Sequence, residues 1–274
     1  MSRKVTVGLL LVPGLALLVF GFLYPFITTL FAPPTIEDTS VLGRLGELVG
    51  DSFVLTVAAR TIRVAVVVTV VCLVFGFPVA YLISRVPARW RGLLLAMSIF
   101  PLLLSNVVRT YSWLVILGRN GLISQALVAL GLADEPVQLL YTELALVIGL
   151  AQLFMPMMIV TSYSSLSQVD FRLEEAARGL GASAGRAFRR VVLPLALPGV
   201  LVGATLVFAG SVTAFTTPML LGGTQNRTLA TLLYEYANVK LDWAAASAVA
   251  LIMTVIVLVV SAVTTRLSGK AKVV

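Results

Sequence analysis

The sequence predicts an all-α integral membrane protein with six transmembrane helices, and three observations carry that prediction. Of its 274 residues, 59% are hydrophobic and 12% charged, about half the charged share of an ordinary soluble domain. The apolar residues are gathered into blocks that reach the roughly 20 residues a helix needs to cross a bilayer. The basic residues sit between those blocks, where they orient a membrane protein with its positive loops inside. A formal charge of +8 is therefore read as topology, and nucleic acid is not expected as a partner. Soluble-enzyme readings lose their material too. His is absent and the one Cys, Cys72, lies in an apolar run, so neither an intrachain disulfide nor a zinc or Cys/His catalytic site can be built.

The whole chain, 1–274, reads as one transmembrane domain. Span one, about 5–31, follows Arg3 and Lys4 within a charge-free run from Val5 to Ile36. That run is too long for a signal h-region and has no small-residue cleavage site before Tyr24 and Pro25, so the span is retained. Pro33, Pro34, Glu37 and Asp38 open an outside segment that lasts to about Asp51. Span two, about 57–84, has Arg60 and Arg63 in its first turns, where they snorkel or face a protein partner. Arg85, Arg89 and Arg91 mark its cytoplasmic end. Span three, about 92–117, carries Pro101, Asn106 and Arg109, and an outside loop that can dip into the interface runs from Arg119 to Thr142. Span four, about 144–166, has a kink expected at Pro156. A polar loop at 167–193 precedes span five, about 194–215, and an irregular outside loop with Gly222, Gly223, Gln225 and Asn226 precedes span six, about 243–264. Thirteen basic and three acidic residues fall on the side of the two termini, whereas seven basic and nine acidic residues fall outside or within spans. That asymmetry orients the chain N-in, C-in. No internal repeat is visible, which weakens the alternative of an inverted-repeat secondary transporter.

The polar loop has a physics of its own. Glu174 and Glu175 open an Ala-rich run of good helix propensity, and Gly179 and Gly181 offer a place to end it. Arg186, Arg189 and Arg190 then bring positive charge to the foot of the apolar segment at Pro194, a residue tolerated in a first helical turn. A short surface helix, a bend and an immediate entry into the membrane are expected. The glycine-rich run from Gly179 to Gly185 lacks the Lys of a G-x-x-x-x-G-K-[ST] phosphate loop, so it is read as the bend.

Glu175, Ala176 and Ala177, then three residues, Gly181, then nine residues, and Val191 to Pro194 resemble the cytoplasmic EAA loop of ABC importer permeases. That pattern is EAA, x3, G, x9, I, x, L, P, with Val191 in place of the Ile. PLLLSNVVRTYSWL from Pro101, TPMLLGGTQN from Thr217 and DWAAASA from Asp242 extend the likeness over nearly the whole chain. Together they look like the spermidine/putrescine-type permeases of bacterial ABC importers, most like the B-type permease subunit. Permeases for opines, 4-aminobutyrate and other small amine or amino-acid-like solutes share these phrases.

The resemblance implies a type I ABC importer permease fold in the bacterial cytoplasmic (inner) membrane. The chain would pass a small cationic or zwitterionic solute, a polyamine such as spermidine or putrescine first of all, from a binding protein to the cytoplasm. Its implied partners are a second permease subunit, two ATPase subunits, an extracytoplasmic substrate-binding protein and the lipid membrane. The chain itself would hold no cofactor and catalyse no hydrolysis, ATP and Mg being bound by the ATPase. The EAA helix would seat in a groove of that ATPase through Glu174, Glu175, Ala176, Ala177, Arg178, Leu180 and Gly181. Small alanines permit close approach, while Glu175 either accepts hydrogen bonds from basic partner groups or caps its own helix.

Asn106, Arg109, Tyr111 and Trp113 are candidates for the pathway or a gate, because polar groups are costly in lipid and face protein or water. The alternative puts Arg109 near the outer surface, paired with a carboxylate such as Glu143, and Tyr111 and Trp113 in an interfacial aromatic belt. Tyr163, Thr213, Phe215 and Thr216 are further candidates, weakened by the habit of helical hydroxyls of bonding their own backbone. No carboxylate sits at the centre of a span, so cation selection is assigned mainly to the binding protein, with Glu235, Asp242 and the partner permease as contributors. An ion-driven secondary transporter, which would work from this chain alone, is the alternative class, and a membrane-embedded enzyme is a distant third.

Overall fold

The computed structural model describes residues 12–24, 27–28 and 41–271, and every regular element among them is helical. Helix α1 (Val12–Gly21) is short and apolar, and its end passes into a π-helical stretch at Val19–Leu23. Apart from 24 and 27–28, the rest of the first predicted span lies outside the described residues. Helix α2 (Val41–Gly50) is followed at once by α3 (Ser52–Arg85), a 34-residue helix that begins about a turn before the predicted start of span two. The next apolar pair is α4 (Ala88–Leu103) and α5 (Asn106–Leu117), then α6 (Leu122–Ala129). Beyond it come α7 (Glu143–Leu166), the small α8 (Arg172–Gly179) and α9 (Ala184–Thr213). A π-helical turn at Pro218–Gly222, α10 (Leu229–Tyr234) with a π-helical extension at Glu235–Val239, and α11 (Trp243–Ala271) complete the order. Four of these helices, α3, α7, α9 and α11, are each long and apolar enough to cross a membrane, and the bent stretch from Ala88 to Ala129 is a fifth candidate.

Span three is not one straight helix. Between Ala88–Leu103 and Asn106–Ala129 the axis bends by 87°. The cause is local: Pro101 has no N–H to give the preceding turn, and Leu104 and Ser105 adopt extended backbone (ψ 141° and 132°) before the helix resumes at Asn106. The loop expected from Arg119 to Thr142 holds a helix, α6, ended by Gly131 at φ 69° with Leu132 N–H bonded to the Leu127 carbonyl at 2.9 Å. Span five begins about ten residues before the expected Pro194. Its first turn, Ala184–Ala187, is followed by a π-helical stretch, Phe188–Val192, and the helix then continues through Pro194. Helix α7 likewise runs unbroken through Pro156.

By packing, the chain forms two units, residues up to Leu55 with Leu232–Ile252, and Thr56–Thr231 with Met253 onward. In the first unit Arg44 bridges Glu47 at 2.7 Å and Asp242 at 3.2 Å. Asp242 also caps α11, its carboxylate accepting from Ala245 N–H at 2.8 Å. In the second unit α7 and α9 meet along small residues: a side chain at Gly199 would collide with Ser165, at Gly203 with Thr161 and at Gly210 with Phe154. Three-residue spacing between small residues is the usual device for close helix approach in lipid, where apolar burial alone gives no drive. Two apolar clusters fill the space beside them. One joins Val64, Val68 and Cys72 of α3 to Leu146, Leu150 and Met158 of α7, and the other joins Phe77, Ala80 and Ile83 to Ile159, Leu166, Val192 and Ala196.

Candidate functional site

Helix α8 projects from the loop between two of the long helices, as its sequence foretold. Asp170 starts it by accepting Arg172 N–H at 3.0 Å. At its other end Ala182 N–H reaches the Ala177 carbonyl (3.1 Å) and Gly181 N–H the Arg178 carbonyl (3.0 Å), the paired bonds that close a helix on a left-handed residue. Gly181 is that residue, at φ 89°, and no atom stands within 4 Å of where its Cβ would be. Glycine is required there by backbone conformation and not by space. Gly179 has ordinary backbone and ends the helix without that constraint.

The side chains of α8 divide into two groups. Glu175, Ala176 and Arg178 are exposed, Ala177 is half-buried, and Leu180 at the tip is 91% exposed. The first N–H of α8 is taken by Asp170, and the Glu175 carboxylate has no partner among the described residues, so self-capping is not what occupies it. Glu174 faces the other way: it is buried and ion-paired with Arg85 at the end of α3. Beside α8 a groove of about 650 Å³ runs between α7 and α9, lined by Ser164, Gln168, Asp170, Leu173, Leu195 and Pro198.

The pathway candidates line neither cavity, but most lie on two touching segments, Thr110 of α5 standing 3.5 Å from Thr217 beside Phe215 and Thr216. Asn106 and Arg109 share the first turn of α5, Asn106 half-buried and Arg109 buried. Nε and Nη1 of Arg109 are buried and have no hydrogen-bond partner among the described residues. The pairing of Arg109 with Glu143 is corrected: Glu143 is engaged by Arg63 and, at 3.5 Å, by Nε of Arg60. Arg60 further donates to the carbonyls of Gln225 (2.8 Å) and Arg227 (3.5 Å), which is how the two arginines at the start of span two are accommodated. Trp113 packs half-buried on the first apolar cluster with its N–H 3.5 Å from the Gln152 side-chain oxygen, whereas Tyr111 is exposed. Tyr163 belongs to the second cluster, far along α7, and Thr213 bonds the Ala209 carbonyl of its own helix at 2.9 Å. Phe215 and Thr216 are half-buried just beyond α9. A second cavity, of about 700 Å³, lies among Leu114, Gln138, Tyr141, Thr142, Thr224 and Gln225, and neither cavity is lined by any of these candidates.

Sequence reading missed Arg85 and Tyr141. In the sequence Arg85 is a topological charge, and its partner Glu174, 89 residues on, is not announced by anything near it. Tyr141 adopts φ 64° and is held by Asn226, whose side chain donates to the Tyr141 carbonyl at 2.7 Å. Nothing in the local sequence announces that contact.

The profile of the family described as Binding-protein-dependent transport system inner membrane component matches residues 72–273, a stretch that takes in α8, its Gly181 turn and the helices around them. The chain belongs to that family. As an inner membrane component it is similar to the Spermidine/putrescine transport system permease protein PotB of Haemophilus influenzae, 31% identical over 263 residues, 93% of this chain and 90% of that one. It is also 34% identical over 205 residues to the Probable molybdenum ABC transporter permease protein of Haloferax volcanii, covering 75% of this chain and 72% of the relative. Among solved structures, a chain of a bacterial ABC transporter involved in the import of the acidic polysaccharide alginate matches with a TM-score of 0.74 at 18% identity, over 98% of this chain and 96% of that one. This inner membrane component is thus a multi-pass membrane protein with the fold of an importer permease. The names of those three proteins span a polyamine, a metal and a polysaccharide, so the fold does not carry the cargo.

Proposed function

We propose that the chain is the transmembrane permease subunit of an ATP-driven importer and that α8 is its seat on an ATPase. The carrying observation is α8 itself: a short helix with exposed Glu175, Ala176, Arg178 and Leu180, closed by the left-handed turn at Gly181. Its partners are a second permease, two ATPase subunits that bind ATP and Mg, and an extracytoplasmic binding protein, while this chain holds no cofactor. The orientation is N-in, C-in, which puts α8 in the cytoplasm beside the basic residues that flank it. The solute is a small cationic or zwitterionic compound. Spermidine or putrescine comes first because of the PotB relative, with an opine or 4-aminobutyrate as the alternative. A secondary transporter has no observation in its favour.

The test is ATP hydrolysis by the purified, reconstituted complex on addition of loaded binding protein. Gly181→Val strains a backbone at φ 89°, and Glu175→Lys inverts the charge offered to the partner, so each is expected to suppress stimulation about tenfold or more. Ser183→Ala, outside α8, should change it little. Full stimulation and normal ATPase co-purification in both variants would refute the seat. Direct binding of polyamines and amino-acid-like solutes to the cognate binding protein decides the cargo.

A further inference from the structure

The inner end of α3 grips both ends of the α8 segment. Arg85, its last residue, is ion-paired with buried Glu174 and donates to the Tyr81 hydroxyl at 2.8 Å. Its guanidinium carbon stands 3.9 Å from the centre of the Phe171 ring and 5.1 Å from that of Tyr81, two rings that meet edge to face at 6.4 Å, so the cation lies against both. Phe171 immediately precedes α8. On the far side of the Gly181 turn, Phe188 meets the edge of Tyr81 at 5.3 Å and of Phe77 at 6.2 Å. The entry and the exit of the α8 segment are thereby closed on the last two turns of one helix.

The other end of α3 is pinned as firmly. Arg60 and Arg63 hold Glu143 at the start of α7, and Arg60 holds the carbonyls of Gln225 and Arg227. Thr61 accepts Leu229 N–H at 2.9 Å. Between these two sets of contacts α3 continues as one helix through Pro78, about 38 Å from Arg60 to Arg85 at 1.5 Å per residue. A rigid element anchored at both ends transmits displacement, whereas a loop would absorb it.

We propose that Arg85 and Glu174 are positioning residues of the coupling step. They lock α8 to α3, so that movement of α8 is carried through α3 to Glu143 and to the 225–229 loop at its far end. The inference rests on the reading of α8 as the ATPase seat. It separates the two neighbouring glutamates, Glu175 facing the ATPase and Glu174 facing the chain's own helix.

Arg85→Glu, Glu174→Arg and the double exchange are compared in the complete reconstituted complex, alongside Arg85→Gln and Glu174→Gln as milder changes. The readouts are ATPase co-purification and solute taken up per ATP hydrolysed. Each single variant should keep the ATPase bound yet lose about tenfold in uptake per ATP, and the double exchange should regain most of it. Parental uptake per ATP in all single variants, or a double exchange no better than the singles, overturns the lock. Loss of the ATPase from the glutamine variants also overturns it, since the pair would then serve assembly only. Gly181→Val and Glu175→Lys run in parallel. If they too leave stimulation intact, the seat itself has failed, and if only they abolish it, the seat stands and the lock falls.

Discussion

Arg109 shows what single residues contribute to this account. A guanidinium with two buried nitrogens unpartnered among the described residues is an expensive object in any protein, more so in a bent membrane helix. Taking one ion out of water costs on the order of several kcal/mol, a cost that an apolar side chain of similar volume avoids. Arg109→Met should therefore leave the unfolding midpoint of the purified complex in detergent unchanged or higher, while solute uptake falls about tenfold or more. Parental uptake would make Arg109 a packing residue, and a lower midpoint would show that it is paired in the assembly. At this scale the sequence was legible where a residue acts through its own backbone: the spacing from Ala177 to Gly181 already indicated a helix closed by a glycine. It was not legible where a residue acts through a distant partner. Arg60, Arg63 and Arg109 are all cations in apolar surroundings, and only the packing of α3 on α7 decides which of them meets Glu143.

Among the elements, the long helices could be read from their apolar runs because lipid demands about 20 apolar residues and internally satisfied backbone. Their ends and breaks could not. Pro101 interrupts α4 and α5 by an 87° bend, whereas Pro156 and Pro194 sit inside continuous helix, and composition alone does not distinguish the three. Before Pro194 the helix takes up a π-helical turn at Phe188–Val192 and continues, whereas after Pro101 the backbone goes extended at Leu104 and Ser105. The charge pattern makes a prediction about two elements on opposite sides of the membrane. In spheroplasts, an impermeant thiol reagent should label Gln225→Cys and spare Leu180→Cys, both positions being exposed and the native Cys72 fully buried. Labelling of position 180 and not 225 would invert the orientation.

At the scale of the whole molecule, a helical scaffold shared with an alginate importer is combined with an exposed α8 and with few charges in its spans. The scaffold does not define a cargo: the cavity near Tyr141 is lined by Gln138, Thr142, Thr224 and Gln225, with no carboxylate to attract a polyamine. Under the proposed function, selection falls to the binding protein and the partner permease, and this chain contributes passage and coupling. The most direct test is uptake of radiolabelled spermidine and putrescine into proteoliposomes, comparing this chain alone with this chain plus its partner permease, ATPase and binding protein. The account predicts uptake only from the complete set, only with ATP inside, and none from the chain alone under any ion gradient. Gradient-driven uptake by the chain alone would contradict it.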